Sequence, residues 1–275
     1  MSSLVFGSYT QDQLDAQYDQ STLVSDIAPY FKKWQEGSRR AKARLVVKEA
    51  IPYGSDSEEV LDVFPPASPN GALHIHYHGG AWRALSSQDA WFLAEPWVER
   101  DYTFVSVNFG LVPRISLATQ VEQSRRALAW CHEKASDLQA DPGRIIVSGH
   151  SSGAHLAAMS ALTDWKVMGK EPPDVKTVIV VSGIYDLLPV RLSARNQYLR
   201  LSESEASNLS PILHLREQLP PCVVIWSLQE LQEFQRQSKE FVARLWNRCP
   251  VKYQAIEVGN HFETWGLITP DLLAQ

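Results

Sequence analysis

The chain has 275 residues, of which 44% are hydrophobic and 21% are charged. This composition is typical of a folded globular protein and excludes an intrinsically disordered chain. With 26 Lys and Arg residues against 31 Asp and Glu residues, the net charge is −5. Such a chain offers no basic surface for nucleic-acid phosphates, so we expect a small-molecule partner and no nucleic acid.

Composition also bears on domain organisation and compartment. No Pro-, Gly- or Ser-rich linker interrupts residues 45–265, which predicts a single domain over 1–275 with 1–45 as an N-terminal helical appendage. The N-terminus lacks a basic region followed by an apolar run, and no stretch approaches ~18 apolar residues, so no membrane association is expected. Cys131, Cys222 and Cys249 cannot all pair and lack CxxC spacing. Reduced thiols and a cytoplasmic location are therefore expected.

In chain order, helical patterns give way to alternating strands and helices. Mixed apolar and charged spacing predicts helices over 11–18 and 27–44, which form a short N-terminal cap. Short β-branched runs then predict strands at 60–64, 73–77, 103–108, 144–148, 177–182, 222–226 and 251–258, with helices at 117–135, 152–162 and 233–246. This alternation predicts an α/β fold, a mostly parallel, doubly wound sheet with helices on both faces. Ligands bind such sheets beyond the carboxyl ends of the strands.

One of these strand ends carries a nucleophile motif. Residues 149–153 read Gly-His-Ser-Ser-Gly, between the predicted strand at 144–148 and the predicted helix at 152–162. In the G-x-S-x-G turn, small flanking residues leave room for a strained serine at the start of a helix. The strand before and the helix after distinguish it from a simple tight turn. We predict that Ser151 is the nucleophile.

A second strand end resembles an oxyanion loop. The strand at 73–77 runs into His78-Gly79-Gly80-Ala81, and missing side chains let backbone N–H groups approach a substrate oxygen. We expect the amides of Gly80, Ala81 and Ser152 to donate, with Gly79 permitting the turn.

The same strand allows a metal-binding alternative. His74, His76 and His78 alternate and would project from one face of a strand. No nearby carboxylate or cysteine completes a ligand set, so structural roles are favoured for His74 and His76, and no metal is expected.

A serine nucleophile needs a base and an orienting acid, in the chain order serine, acid, histidine. His261 follows the last predicted strand, whereas His150 and His155 are expected to be structural. Glu230 follows the strand at 222–226 and is the preferred acid, which would hold the imidazole. Glu233 and Asp186 remain alternatives, since Glu233 could instead stabilise a helix N-terminus.

Together these segments resemble a known family. Residues 78–82 (HGGAW) resemble the HGGxW signature of arylformamidases, or kynurenine formamidases, which have the α/β-hydrolase fold, and 149–158 resemble their nucleophile turn. Further similar segments are 182–187, 208–211 and 233–238. The resemblance implies a triad of Ser151, position 230 and His261. This chain departs from the pattern in carrying Glu230 where aspartate is usual and Ser227 where glycine often ends the strand.

The resemblance also implies an activity. It is hydrolysis of the formamide of an N-formyl arylamine such as N-formylkynurenine, with no cofactor, and a possible homodimer. Strand-end positions predict that Trp82, Phe109 and Tyr185 bind the aromatic substrate, with core packing as the alternative for each. Two other functions stay open: a carboxylesterase or amidase acting on small aromatic acyl compounds, and a non-catalytic hydrolase-like binding protein.

Overall fold

The computed structural model describes residues 3–165, 169–170 and 172–274. Its strands are Lys48–Pro52 (β1), Val60–Phe64 (β2), Gly71–Tyr77 (β3), Thr103–Val107 (β4), Ala140–His150 (β5), Thr177–Val181 (β6), Cys222–Ser227 (β7) and Val251–Ile256 (β8). Its α-helices are Gln11–Ala16 (α1), Ala28–Arg44 (α2), Ala94–Val98 (α3), Leu117–Glu133 (α4), Ser152–Ala161 (α5), Leu188–Leu192 (α6), Asn196–Leu199 (α7), Glu203–Asn208 (α8) and Gln232–Leu245 (α9).

All of these strands join one sheet in the order β1-β2-β4-β3-β5-β6-β7-β8. The strand β2 runs antiparallel to both neighbours, and every pairing from β4 to β8 is parallel. The continuous apolar runs in β5, β6 and β7 fit this arrangement, because a central parallel strand is covered on both faces. The predicted α/β-hydrolase fold with a mostly parallel sheet is confirmed. The sequence did not predict β1, whose residues KEAIP are largely exposed at the sheet edge.

Two hydrophobic cores lie on the two faces of the sheet. Along β5, Ile145 and Val147 point into one core and Ile146 into the other, as alternation in a strand requires. The helices α4, α5 and α9 cover the first face, through residues such as Leu128, Ala157 and Phe241. The second face is covered largely by α2, α3 and the 3₁₀ helix Ser87–Leu93. The helix α2 of the N-terminal segment therefore packs on this face of the sheet through Trp34 and Ala41.

Membrane association and cysteine pairing can be checked on the described residues. Within that part of the chain, no helix is long and apolar enough to cross a membrane. The thiols of Cys131, Cys222 and Cys249 are all free.

Candidate active site

The nucleophile turn lies where β5 meets α5. Ser151 has φ 55° and ψ −122°, a strained conformation, and its N–H donates to the carbonyl oxygen of Val181 at 2.9 Å. A Cβ on Gly149 would lie 2.1 Å from the oxygen of Gly153, and one on Gly153 would lie 2.1 Å from the oxygen of Tyr77. Both glycines of the G-x-S-x-G motif are therefore required by packing, and together they let the serine protrude at the strand end.

The structure brings Ser151, His261 and Glu230 into one hydrogen-bonded chain. The Oγ of Ser151 lies 3.0 Å from Nε2 of His261, and Nδ1 of His261 lies 2.6 Å from Oε1 of Glu230. With the imidazole proton on Nδ1, the ring donates to the carboxylate and accepts from the hydroxyl. The exposed fractions of the three residues are 6%, 6% and 4%, so these hydrogen-bonded side chains are shielded from bulk water.

Ser227 fixes the two loops that carry the acid and the base. Its backbone N–H donates to Oε2 of Glu230 at 3.0 Å, and its hydroxyl donates to the carbonyl oxygen of Gly259. The backbone contact would also be possible for the glycine found in the family that the sequence resembles, so the serine adds the hydroxyl that holds the loop before His261.

The alternative acids lie elsewhere. Glu233 is fully buried in an ion pair with Arg236, at 2.7 Å, and accepts from the hydroxyl of Tyr18 at 3.2 Å. Asp186 accepts from the backbone N–H of Leu188 at 2.9 Å. Neither carboxylate contacts His261, whereas that of Glu230 does.

The loop after β3 lies against the nucleophile turn. Gly80 has φ 104°, and a Cβ there would lie 2.0 Å from the oxygen of Ala84, so only glycine fits. An added Cβ on Gly79 would lie 3.4 Å from the Cβ of Ser151, which places this loop beside the serine. In the described part of the chain, the amides of Gly80, Ala81 and Ser152 donate to no protein acceptor. Three N–H groups of this loop and of the nucleophile turn are therefore unpaired within the described residues.

Each of the three alternating histidines, two in β3 and one directly after it, makes at least one buried hydrogen bond, while Nδ1 of His74 and Nε2 of His78 have no partner among the described residues. Nε2 of His76 accepts from the indole N–H of Trp265 at 3.0 Å, and its Nδ1 lies 2.8 Å from Oγ of Ser148. Nε2 of His74 lies 2.6 Å from the same hydroxyl, while Nδ1 of His78 contacts the oxygen of Gly79. Burial lowers the pKa of all three well below its ordinary value. Among the described residues, no three His, Cys, Asp or Glu side chains are placed to hold a metal ion.

A cavity of about 850 Å³ opens onto the serine and the imidazole. Gly80 and Ala81 of the loop also line it, whereas Gly79 and Ser152 do not. The aromatic part of its wall comprises Tyr18, Phe31, Trp34, Tyr198, Phe262 and Trp265. The N-terminal segment thus supplies three of these six rings of the cavity that Ser151 also lines.

The prediction that Trp82, Phe109 and Tyr185 line the substrate pocket is wrong for this cavity, because none of the three is among its lining residues. All three rings are buried in the core. Trp82 donates its indole N–H to Nδ1 of His155 at 3.2 Å. Phe109 stacks on His78, with 4.3 Å between ring centroids, and Tyr185 stacks on Phe241 at 3.8 Å. A position at a strand end did not determine the direction of these side chains.

Comparison with known proteins places the chain in a family. Residues 61–245 match the BD-FAE family model. A kynurenine formamidase from Danio rerio is 31% identical over 93% of this chain and 90% of its own length, and one from Salmo salar is 32% identical over 92% and 89%. The chain belongs to the kynurenine formamidase family. A crystal structure of a Silicibacter protein assigned as a thioesterase, 21% identical, superposes with a TM-score of 0.80 over 95% of this chain and 98% of its own, which supports the fold.

In this formamidase-family chain, sequence reasoning missed two kinds of site residue. The first are the rings of Tyr18, Phe31 and Trp34, whose segment was interpreted only as a helical cap. The second is His150, which was expected to be structural. Its Nε2 lies 2.9 Å from the carbonyl oxygen of His261 and 3.2 Å from Oγ1 of Thr264. Burial lowers the pKa of His150 well below its ordinary value, so the ring is neutral and donates from Nε2.

Proposed function

We propose that the chain hydrolyses the formamide bond of an N-formyl arylamine, of the N-formylkynurenine type, to the free arylamine and formate. The observation that carries this proposal is the hydrogen-bonded chain Ser151–His261–Glu230 at the mouth of an aromatic cavity. The fold and the triad alone support acyl transfer but do not determine the substrate. Membership of the kynurenine formamidase family is the basis for proposing a formamide as the bond that is cleaved.

The first half of the reaction forms a formyl-serine ester. The Oγ of Ser151 attacks the formyl carbon while Nε2 of His261 takes its proton. The developing oxyanion accepts hydrogen bonds from the amides of Gly80, Ala81 and Ser152, which donate to no acceptor among the described residues. When the C–N bond breaks, the imidazolium donates its proton to the arylamine nitrogen, without which the amine is a poor leaving group.

The second half releases formate. Water attacks the formyl-serine carbonyl and gives a proton to His261, which returns it to Oγ of Ser151 as the ester bond breaks. Glu230 keeps the proton on Nδ1 of His261 and stabilises the imidazolium that forms in each half-reaction. Every proton transfer uses a group of this chain or the attacking water.

The shape of an N-formyl arylamine fits the cavity. A formyl group needs almost no acyl pocket, whereas an aromatic amine needs a broad apolar surface, which the rings around the cavity supply. The free cysteines agree with a reducing compartment, which we propose to be the cytoplasm. Family similarity is the basis for proposing a homodimer.

The deciding experiment is formate release by the purified chain from N-formylkynurenine and formanilide, beside cleavage of p-nitrophenyl butyrate. Ser151→Ala should lower kcat for formamides by about 10⁴-fold or more with folding intact. Ser136→Ala, at an exposed position, is the matched control and should be fully active. Near-wild-type turnover by Ser151→Ala would exclude the serine mechanism. Butyrate cleavage without formamide cleavage would favour a carboxylesterase, and failure of a fluorophosphonate to label Ser151 would favour a binding protein.

A further inference from the structure

The active-site cavity has a second, polar wall that the mechanism does not use. It is formed by Asp15, Tyr18, Asp19 and Gln20 of the N-terminal segment, by Ala194 and Arg195 between α6 and α7, and by Gln197 of α7. The two segments are tied together, because the backbone N–H of Ala194 donates to Asp15 at 2.6 Å. This wall therefore has a fixed geometry before any ligand arrives.

Arg195 is the guanidinium of this wall, and among the described residues it has no ion-pair partner. Its Nε and Nη2 donate to the carbonyl oxygen of Tyr18 at 3.0 and 2.6 Å, while its buried Nη1 has no partner among the described residues. The guanidinium lies 5.6 Å from the ring of Tyr18 and 5.9 Å from that of Trp82. No carboxylate within the described ranges forms an ion pair with it. A guanidinium stays charged at all relevant pH values, so an anion bound there would supply the missing partner.

The nearby acids do not provide that partner. Oδ1 of Asp15 accepts from Ala194 and from Gln11, and Oδ1 of Asp19 accepts from Ser21. These carboxylates are engaged in holding the backbone of the N-terminal segment and the α6–α7 connection.

Gln20 is a second, independent sign of a ligand. Its residue is only 5% exposed and lines the cavity, yet neither Nε2 nor Oε1 of its amide has a partner among the described residues. Buried side-chain amides are nearly always hydrogen-bonded, because leaving them unpaired is costly. An amide at this position can donate from Nε2 to a carboxylate oxygen and accept at Oε1 from an ammonium group.

We propose that Arg195 and Gln20 bind a carboxylate carried by the arylamine half of the substrate, at the end remote from the formyl group. The inference rests on the proposed function, since it takes the arylamine to occupy the cavity in front of Ser151. Planar guanidinium groups match carboxylates through two parallel N–H donors. Arg83, the other cation of the lining, is exposed and stacks on Tyr198 at 4.4 Å, so it is solvated and contributes less.

The test compares two formamides that differ only in this group. N-formylkynurenine carries the carboxylate, and N-formylkynuramine keeps the aryl ketone and the ammonium group but lacks it. The wild-type kcat/KM should favour N-formylkynurenine by about ten- to hundred-fold, the range of one charge-assisted hydrogen-bonded pair. The difference should appear mainly in KM, because the tail is bound equally in the ground state and the transition state.

Variants of Arg195 and Gln20 test whether these residues cause the preference for N-formylkynurenine over N-formylkynuramine. Arg195→Met keeps the apolar stem and should bring the two substrates to within about threefold of each other. Because Arg195 also ties down Tyr18, Gln20→Leu serves as a second variant. It removes only unpaired amide atoms, so it should lower the preference while leaving the melting temperature unchanged or raised. Arg191→Met removes a cation from the neighbouring helix, outside the cavity lining, and should keep the wild-type ratio.

The two proposals can fail separately. Equal kcat/KM for both formamides in the wild type, or an unchanged ratio in folded Arg195→Met and Gln20→Leu, would overturn the carboxylate site while leaving formamide hydrolysis intact. If neither formamide is cleaved, the proposed function fails, and the site is tested by inhibition of p-nitrophenyl butyrate cleavage. Kynurenine should then inhibit about tenfold more strongly than kynuramine, and equal inhibition would overturn the site.

Discussion

The Nε2–H of His150 donates a hydrogen bond to the carbonyl oxygen of His261, across 2.9 Å. His150 is the residue immediately before Ser151, so this contact joins the nucleophile turn directly to the loop that carries the imidazole. The ring of His150 also stacks on Trp265, at 5.4 Å and 13°. The distance between Ser151 and His261 is thus set by a side chain adjacent to the nucleophile, in addition to the strand ends.

Replacing His150 should therefore shift the imidazole of His261 away from Ser151 while substrate binding is retained. His150→Phe keeps a ring on Trp265 but loses the donor to His261, and we expect kcat to fall about tenfold or more with little change in KM. His150→Gln can donate from its amide nitrogen and should restore most of kcat. Steady-state kinetics on one formamide measure both. A uniform rise in KM with unchanged kcat would show that His150 contacts substrate and does not position His261.

Glu230 should be essential for turnover but not for folding. Glu230→Gln leaves the ring of His261 without its carboxylate partner and favours the wrong tautomer, so we expect kcat to fall by about 10³- to 10⁴-fold. Glu230→Asp should retain part of the activity, because a shorter carboxylate still carries the charge.

Glu233→Gln is the matched control for that prediction. Its carboxylate is buried against Arg236 and does not contact His261, so the change should lower the melting temperature while kcat stays within a few-fold of wild type. Full activity in Glu230→Gln together with inactivity in Glu233→Gln would reverse the assignment of the acid.

Trp82 should matter for stability more than for substrate binding. Trp82→Phe removes the indole N–H that donates to Nδ1 of His155 and leaves a buried acceptor unpaired, which should lower the free energy of unfolding by about 1–3 kcal/mol. Trp246→Phe, at a position 61% exposed, should change it by less than about 0.5 kcal/mol. Urea denaturation measures both. A large rise in KM for Trp82→Phe with unchanged stability would instead show that this ring contacts the substrate.

The features that the sequence predicted are local ones. The Gly149–Gly153 turn could be recognised because its strain and packing involve only the end of one strand and the start of one helix. Apolar runs such as that of β6 predicted buried parallel strands, because burial on both faces removes the need for alternation. The polar edge strand β1 carries no such signal.

The features that the sequence did not predict depend on contacts between distant segments. One cavity is lined by Tyr18, Phe31 and Trp34 together with Tyr198 and Trp265. The spacing of residues within 1–45 does not indicate that these rings lie near the later ones. Trp82 was misassigned for a different reason. Its backbone has φ 63°, a left-handed conformation, and its ring ends in the core against α5. Backbone turns of this kind are not visible in an HGGxW pattern.

Burial of five histidines predicts that the fold loses stability in mild acid. Burial lowers the pKa of His74, His76 and His150 well below the ordinary value of 6.5, and that of His78 and His155 to about 4. At pH values between the ordinary pKa and the lowered pKa of a buried histidine, the unfolded chain binds a proton at that ring and the folded chain does not. The free energy of unfolding should therefore fall as the pH falls from about 6.5 to 4, by up to about 1.4 kcal/mol per pH unit for each histidine.

Urea denaturation at pH 7.0, 6.0 and 5.0 measures this slope. His155 is the side chain to remove, because among the described residues its ring makes two hydrogen bonds, with Trp82 and with the carbonyl oxygen of Leu209. His155→Gln should be less stable at pH 7, where the neutral ring is bonded, but its stability should fall less steeply with acid, by up to about 1.4 kcal/mol per pH unit. A free energy of unfolding that stays constant between pH 7 and 5 would mean that these rings take up protons in the folded chain as readily as in the unfolded chain. The neutral state assigned to His150, and with it the hydrogen bond that positions His261, would then need a different explanation.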